Sequence, residues 1–192
     1  MGDKIRAKRI TQRANVPTIS DKENIKTPQD ILRWMKEDEV EFPIMIKAEA
    51  GGSGKGMVRV DSLEELPLAI EKAASEVRKA FGDDTLLVEK YVKRGRHIEV
   101  QILADTHGNV VHLLERECTI QRRNQKILEE APSPSIDDDL CIEVCFTGVR
   151  LARELGYYSA GTIEFLLDPK TKRFYFLEVN TRLQVEHGVT EL

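Results

Sequence analysis

Residues 161–187 read GTIEFLLDPKTKRFYFLEVNTRLQVEH. The runs Gly161–Leu167 and Arg173–Val179 have strand composition, and Asp168-Pro169-Lys170-Thr171-Lys172 between them is turn chemistry, so the stretch predicts two adjacent strands. Glu164 and Glu178 each sit among apolar residues on those strands, with Asn180 just beyond. Two carboxylates and an amide are hard oxygen donors suited to Mg²⁺ bound together with nucleotide phosphates, because two unpaired carboxylates buried side by side are costly. The alternative is a solvated sheet face that merely carries two acids. Thr181–Glu191 follows as a loop crowded with Arg182, Gln184, Glu186 and His187. Arg182 suits an oxyanion clamp and Glu186 a general base, against the plainer reading of Glu186 and His187 as a surface pair.

Upstream, Ser135 precedes a helix with Asp137, Asp138 and Asp139 in its first turn; it carries Val144, Val149, Leu151 and Ala152 to Gly156, a suitable C′ residue. Strands are predicted at about 85–92, 97–104 and 110–116, the latter two joined by Asp105–Asn109, forming an antiparallel meander. The cluster Gln121-Arg122-Arg123-Asn124-Gln125-Lys126 reads as a nucleic-acid patch or as anion capture within a site. It lacks interleaved aromatics and is followed by Glu129 and Glu130, which favours anion capture.

Residues 4–14 predict a short basic helix capped by Asp3, and Thr27-Pro28 opens a second helix with Ile31, Leu32, Trp34 and Met35 as its stripe, ending before Phe42-Pro43. Ile44–Ile46 and Met57–Val60 predict strands around Gly51-Gly52-Ser53-Gly54-Lys55-Gly56. Four glycines in six residues allow backbone N–H groups to approach a polyphosphate, with Lys55 adding charge, or they form a plain flexible hairpin. Walker A and Rossmann loops both open a helix, whereas a strand follows here, so neither applies. Ser62 and Glu65 resemble a capping box for a helix running to Gly82, in which Pro67 demands either a separate first turn or a later start. Mostly antiparallel strands with helices on one side give an α+β architecture.

The chain has 192 residues, with 29 Lys plus Arg against 33 Asp plus Glu, a net charge of −4. That balance argues against a nucleic-acid-coating protein. A hydrophobic share of 41%, a charged share of 32% and a mean hydropathy of −0.37 fit an ordinary soluble domain, with no apolar run near the ~20 residues of a membrane helix. MGDKIRAKRI has no apolar core of a signal peptide, so export is not expected. Cys118, Cys141 and Cys145 form no C-x-x-C pair and read as reduced, structural thiols.

Taken in order, Lys47 with AGGSGKGM, RHIEVQILAD, ERECTIQRRNQKILEEAPSP and FYFLEVNTRLQVEH resemble the biotin carboxylase family of ATP-grasp enzymes, over nearly the whole chain. The QRRNQK variety is most similar to the biotin carboxylase component of propionyl-CoA-type carboxylases. The resemblance implies ATP held between two α+β lobes with mostly antiparallel sheets, and a glycine-rich flap closing on the phosphates. The implied division is a helical segment over 1–43, a small glycine-loop lobe over 44–91 and a larger lobe over 92–192 carrying the metal and bicarbonate sites. Carried over residue by residue, Lys4, Lys47 and the flap Gly51, Gly52, Ser53, Gly54, Lys55 and Gly56 would meet the phosphates. Glu89, Lys90 and Val92 would meet the adenine and His97 the ribose, with Gln121 and Leu166 also in the nucleotide set. Glu164, Glu178 and Asn180 would hold Mg²⁺ or Mn²⁺. Gln184, the Val185 backbone and Arg182 would form the bicarbonate pocket, Lys126 would stabilise phosphoryl charge, and Glu186 would take the bicarbonate proton.

The implied reaction is attack of bicarbonate on the γ-phosphate to give carboxyphosphate and ADP, followed by capture of the carboxyl group by biotin on a carrier protein. A carboxyltransferase partner, a homodimer and a cytoplasmic setting, or the mitochondrial matrix in a eukaryote, go with that resemblance, and neither nucleic acid nor membrane is an expected partner. A nucleotide-binding module without turnover is the alternative. The family pattern places a Rossmann-like domain before MGDK and another domain after VEH, so a fragment unable to complete biotin carboxylation alone is expected. Asn124 stands where many relatives have His, removing a titratable group, and Gly188 stands where the family usually has Pro, which frees the backbone beside Glu186.

Overall fold

The computed structural model describes residues 11, 13–48, 57–81, 85–122 and 125–191. The basic helix over 4–14, Lys4, the glycine loop 51–56, Gly82, Arg123 and Asn124 therefore lie mainly or wholly outside the described residues. The chain divides into two compact units, one spanning Ile19–Tyr91 and the other Val92 onward together with the chain up to Thr18.

In the smaller unit, β1 (Asp21–Ile25), β2 (Ile44–Ala48), β3 (Val58–Val60) and β4 (Leu86–Lys90) form an antiparallel sheet in the order β1-β4-β2-β3. Helices α1 (Pro28–Glu37) and α2 (Leu66–Phe81) complete it. α1 begins where the sequence places it: Thr27 accepts from the Asp30 N–H and Asp30 returns the bond, with Pro28 in the first turn, where no amide is needed. Its Ile31 and Trp34 are fully sequestered with Ile25, Ile44, Ile46, Val60, Leu66, Ala73, Leu86 and Val88. Each fully buried aliphatic side chain there contributes roughly 1.5–3 kcal/mol. Residues 19–43, read from sequence as a leading segment, thus build this core. A separate 3-10 turn, Leu63–Glu65, precedes α2 and places Pro67 in the first helical turn. The expected capping box is not made: Ser62 gives no side-chain cap, and Glu65 instead accepts from the Asp61 N–H at 2.9 Å.

The larger unit is an antiparallel five-stranded sheet in the order β7-β6-β5-β8-β9, with β5 Arg96–Ala104, β6 Val110–Arg122, β7 Gln125–Glu130, β8 Ser159–Leu167 and β9 Phe174–Asn180. The meander is therefore β5-β6-β7, and the strand predicted at 85–92 belongs to the other sheet. β7 escaped the sequence reading because QKILEE is an edge strand with Ile127 and Leu128 exposed, so no burial pattern announces it. α3 (Asp138–Glu154) buries Leu140, Val144, Val149, Leu151 and Ala152 against Ile98, Val100, Ile102, Ile163, Phe165 and Phe176 on one sheet face. Its N-cap is Asp137, whose side chain accepts from the Leu140 N–H at 3.0 Å; Ser135 is not the cap. Gly156 ends it at φ +58°, a conformation that favours glycine. The end of the predicted loop Thr181–Glu191 is a short helix, α4 (His187–Glu191). Among the described residues no helix is long and apolar enough to cross a membrane.

Candidate active site

Strand alternation leaves one face of the larger sheet polar although it is buried. β5 turns Ile98, Val100 and Ile102 to α3 and Glu99 and Gln101 the other way. Register then lines up a row across four strands: Arg116 of β6 opposite Glu99 of β5, Glu99 opposite Glu164 of β8, and Glu164 opposite Glu178 of β9. A second row joins Gln101, Thr162 and Asn180. The β9 register slips between Glu164 and Phe165, leaving Leu177 unmatched. That bulge lets Phe176 enter the core opposite Phe165 while Glu178, two residues later, stands opposite Glu164 on the polar side.

Lys126 of β7 reaches into this row, with Nζ 2.6 Å from Glu99 Oε1 and 2.8 Å from Glu164 Oε1. Burial works against its ammonium, but Glu164 and Glu99 outweigh that and hold it above the usual lysine range. Glu164 Oε1 also accepts from Asn180 Nδ2 at 2.7 Å, which leaves the Asn180 carbonyl oxygen as a ligand. Burial first, then the Glu99 charge, pushes the Glu164 carboxyl up, against the pull of Lys126. Glu178 is exposed. Among the described residues no three His, Cys, Asp or Glu side chains already form a metal cage, so phosphate or water oxygens must complete any magnesium shell, as is usual for that ion. The donor set of Glu164, Glu178 and Asn180 fits magnesium on these terms.

Beyond the row lies the 181–191 segment. Gln184 is buried and accepts from Arg116 Nη2 at 2.9 Å. Val185 is almost wholly exposed, and Arg182 donates to the Leu183 carbonyl at 3.2 Å. Glu186 is half-buried, and with burial and Glu99 its charge drives the neighbouring Glu129 carboxyl up to about 7, burial being the largest cause. The surface pair read as Glu186 with His187 is not formed; His187 Nδ1 lies 2.8 Å from Glu191 Oε1, one helical turn on. Gly188 is the second residue of α4, with nothing within 4 Å of an added Cβ.

His97 and Leu166 face each other in register on β5 and β8, Val92 is buried, and Gln121 Nε2 donates to the Cys118 carbonyl at 2.9 Å. In the smaller unit, Lys47 on β2 pairs with Glu89 on the neighbouring β4, and Lys90 donates its N–H to the Ser20 carbonyl at 2.9 Å. Cys118 and Cys145 are buried and desolvation raises both thiols, which suits the structural reading. Sequence reasoning missed Glu99, Arg116 and Glu129. The alternation in HIEVQILA held a signal for Glu99, since its polar members faced away from the core and required partners; Arg116 and Glu129 carried none.

The family model described as the carbamoyl-phosphate synthase L chain ATP-binding domain matches residues 3–192. The chain belongs to this family. Within the ATP-binding family it is 51% identical over 193 residues to the biotin carboxylase of Nostoc, covering 100% of this chain and 42% of the relative. It is 48% identical to the propionyl-CoA carboxylase alpha chain of Ruegeria pomeroyi, again over 100% of this chain and 28% of the relative. The biotin carboxylase domain dimer of the Hydrogenobacter thermophilus 2-oxoglutarate carboxylase, solved with MgADP, ADP and bicarbonate, superposes with a TM-score of 0.87 at 46% identity, covering all of this chain and 42% of that one. The fold is thus that of biotin carboxylase ATP-grasp domains, and the chain spans less than half the length of these relatives.

Proposed function

We propose that this chain is the ATP-grasp portion of a biotin carboxylase, which uses ATP and bicarbonate to form carboxyphosphate and ADP, the carboxyl group then passing to biotin on a carrier protein with release of phosphate. The observation that supports this is the row Glu99, Glu164 and Glu178, the first two bridged by Lys126, with buried Gln184 beside it. Magnesium held by Glu164, Glu178 and Asn180 supplies the charge neutralisation that lets a triphosphate lie against carboxylates. Lys126 stays cationic because two carboxylates hold it so, and offers its ammonium to the transferring phosphoryl group. Gln184 and Arg182 receive the bicarbonate, and Glu186 accepts its proton as its oxygen attacks phosphorus. Positioning and charge control, rather than covalent chemistry by the protein, are what this reaction asks. In the smaller unit Lys47, paired with Glu89, and the 51–56 loop serve the phosphates, and Glu89 and Lys90 serve adenosine; of the other unit's residues, Lys4 serves the phosphates and Val92, His97, Gln121 and Leu166 serve adenosine.

The carrier protein, a carboxyltransferase and a second copy of the chain are the partners this reading assigns, in the cytoplasm or the mitochondrial matrix; the Hydrogenobacter relative is itself a dimer. The test is calorimetric titration of MgATP, with and without bicarbonate, into the chain and into Glu178→Gln, alongside bicarbonate-dependent ATP hydrolysis in Glu186→Gln. The expected result is binding at least tenfold weaker in the first variant and loss of bicarbonate stimulation in the second. Equal MgATP affinity in wild type and Glu178→Gln would overturn the metal assignment. MgATP binding without any bicarbonate response would leave a nucleotide-binding module in its place.

A further inference from the structure

Arg116 is fully buried and serves six side chains. Nη1 donates to Gln101 Oε1 at 3.0 Å and Thr190 Oγ1 at 3.1 Å. Nη2 donates to Glu99 Oε2 at 3.2 Å, Thr162 Oγ1 at 3.3 Å and Gln184 Oε1 at 2.9 Å, and Nε lies 3.5 Å from Glu129 Oε2. The guanidinium thus ties β5, β7 and β8 to the 181–191 segment at two points, Gln184 and Thr190. An arginine is a donor only and keeps its proton, so the Gln184 atom facing it must be the carbonyl oxygen. A flipped amide would set N–H against N–H inside a buried cluster, at the cost of two unsatisfied donors. The Gln184 NH₂ group is thereby fixed as the end turned away from Arg116.

We infer that Arg116 is a positioning residue for bicarbonate, holding the Gln184 amide so that its NH₂ donates to the anion. This rests on the reading that Gln184 belongs to the bicarbonate pocket. The same grip explains why so large a desolvation cost sits at this point of the sheet: the segment carrying Gln184 and Glu186 has few apolar anchors, with Leu183 and Val185 exposed, and Arg116 is what registers it against the carboxylate row. A lysine in its place keeps the charge beside Glu99 but cannot reach all of these acceptors at once, so the amide is released to rotate.

The experiment is a double-mutant cycle with ¹³C-bicarbonate titrated into the MgADP-loaded chain: wild type, Arg116→Lys, Gln184→Ala and the double variant. Each single variant is expected to weaken bicarbonate about tenfold, the worth of one hydrogen bond to a charged group, and the double variant to be no weaker than Gln184→Ala. MgADP affinity, which a general structural fault would lower, stays at the wild-type value. Additive losses, or full bicarbonate affinity in Arg116→Lys, overturn the inference. Wild-type affinity in Gln184→Ala overturns the pocket reading itself. Should Arg116→Lys fail to fold, ¹⁵N side-chain amide spectra of the wild-type chain decide the matter: bicarbonate must shift the Gln184 NH₂ signals, and unmoved signals at saturation refute the inference.

Discussion

Lys126→Met removes the one ammonium that, among the described residues, touches both Glu99 and Glu164. The Glu99 side chain is fully buried, that of Glu164 is 10% exposed, and that of Lys126 is 17% exposed. Breaking a buried ion pair by deleting one partner costs about 3–5 kcal/mol, because the remaining charge is left uncompensated. Arg116 remains beside Glu99 and Asn180 beside Glu164, and the lysine is partly solvated, so the lower end applies. The expected loss is about 3 kcal/mol, which lowers the midpoint of thermal unfolding by roughly 6–12 °C for a chain of this size. Far-UV circular dichroism in metal-free buffer follows the change, while the chain's single tryptophan, Trp34, reports separately on the smaller unit by fluorescence. A paired variant sharpens the test. Adding Glu164→Gln to Lys126→Met removes the orphaned charge and recovers a large part of the loss, since a neutral cluster demands no counter-ion. A loss under about 1 kcal/mol, the worth of a surface pair, would refute the claim that Lys126 spans two desolvated carboxylates.

The raised Glu129 carboxyl gives a pH test: its folded value of about 7 lies above the ordinary 4.5, so its contribution to stability is complete below 4.5 and is lost as pH climbs through about 7. ¹³C-carboxyl NMR should find that midpoint, Glu129→Gln should flatten the stability profile across the same window, and a midpoint near 4.5 would refute the burial argument. Gly161→Ala would put a Cβ 2.6 Å from Tyr157 Oη and 2.9 Å from its ring, and Tyr157 already donates to the Ala160 carbonyl at 2.8 Å. Overpacking at that buried tyrosine should cost about 1–3 kcal/mol in urea unfolding; an unchanged midpoint would show that the ring moves freely. Asp137→Ala should cost about 1 kcal/mol in urea unfolding through the lost cap of α3, and an unchanged midpoint would refute the cap's contribution.

What the sequence made legible follows from where the signal lies. The hairpin around 168–172 and the juxtaposition of Glu164 with Glu178 were readable because strand alternation and turn chemistry are local. The start of α1 was readable to the residue because Thr27 and Pro28 fix it, whereas its end, expected just before Phe42-Pro43, comes at Glu37. β7 was not, since an edge strand with polar residues on both sides has no periodicity of burial. Arg116 was not, because its value lies in partners 15, 17, 46, 68 and 74 residues away, and no window of sequence shows which acceptors a guanidinium will find. The helix at His187–Glu191 was hidden for a related reason: five residues carry too little propensity to declare themselves, and its Thr190 is held through Arg116.

The polar face also sets a relation between stability and chemistry. Glu99, Glu129, Glu164, Glu178 and Glu186 bring five carboxylates to or beside one sheet face, and among the described residues the cations in contact with them are Lys126 and Arg116. The excess among these groups is negative, and it adds to burial, the larger cause, in raising the carboxyls of Glu164 and Glu129. A fold built only for stability would place apolar side chains there, as its α3 face does. Retaining the excess makes sense where a divalent cation arrives with a polyphosphate: the ion relieves the repulsion, and the free energy released by that relief contributes to binding the nucleotide. It follows that magnesium without nucleotide should raise the unfolding midpoint of the wild-type chain, and should do so less in Glu178→Gln, where one donor of the set is gone. Equal stabilisation of both proteins would separate the charge excess from the metal and leave the carboxylate row without the purpose argued for it.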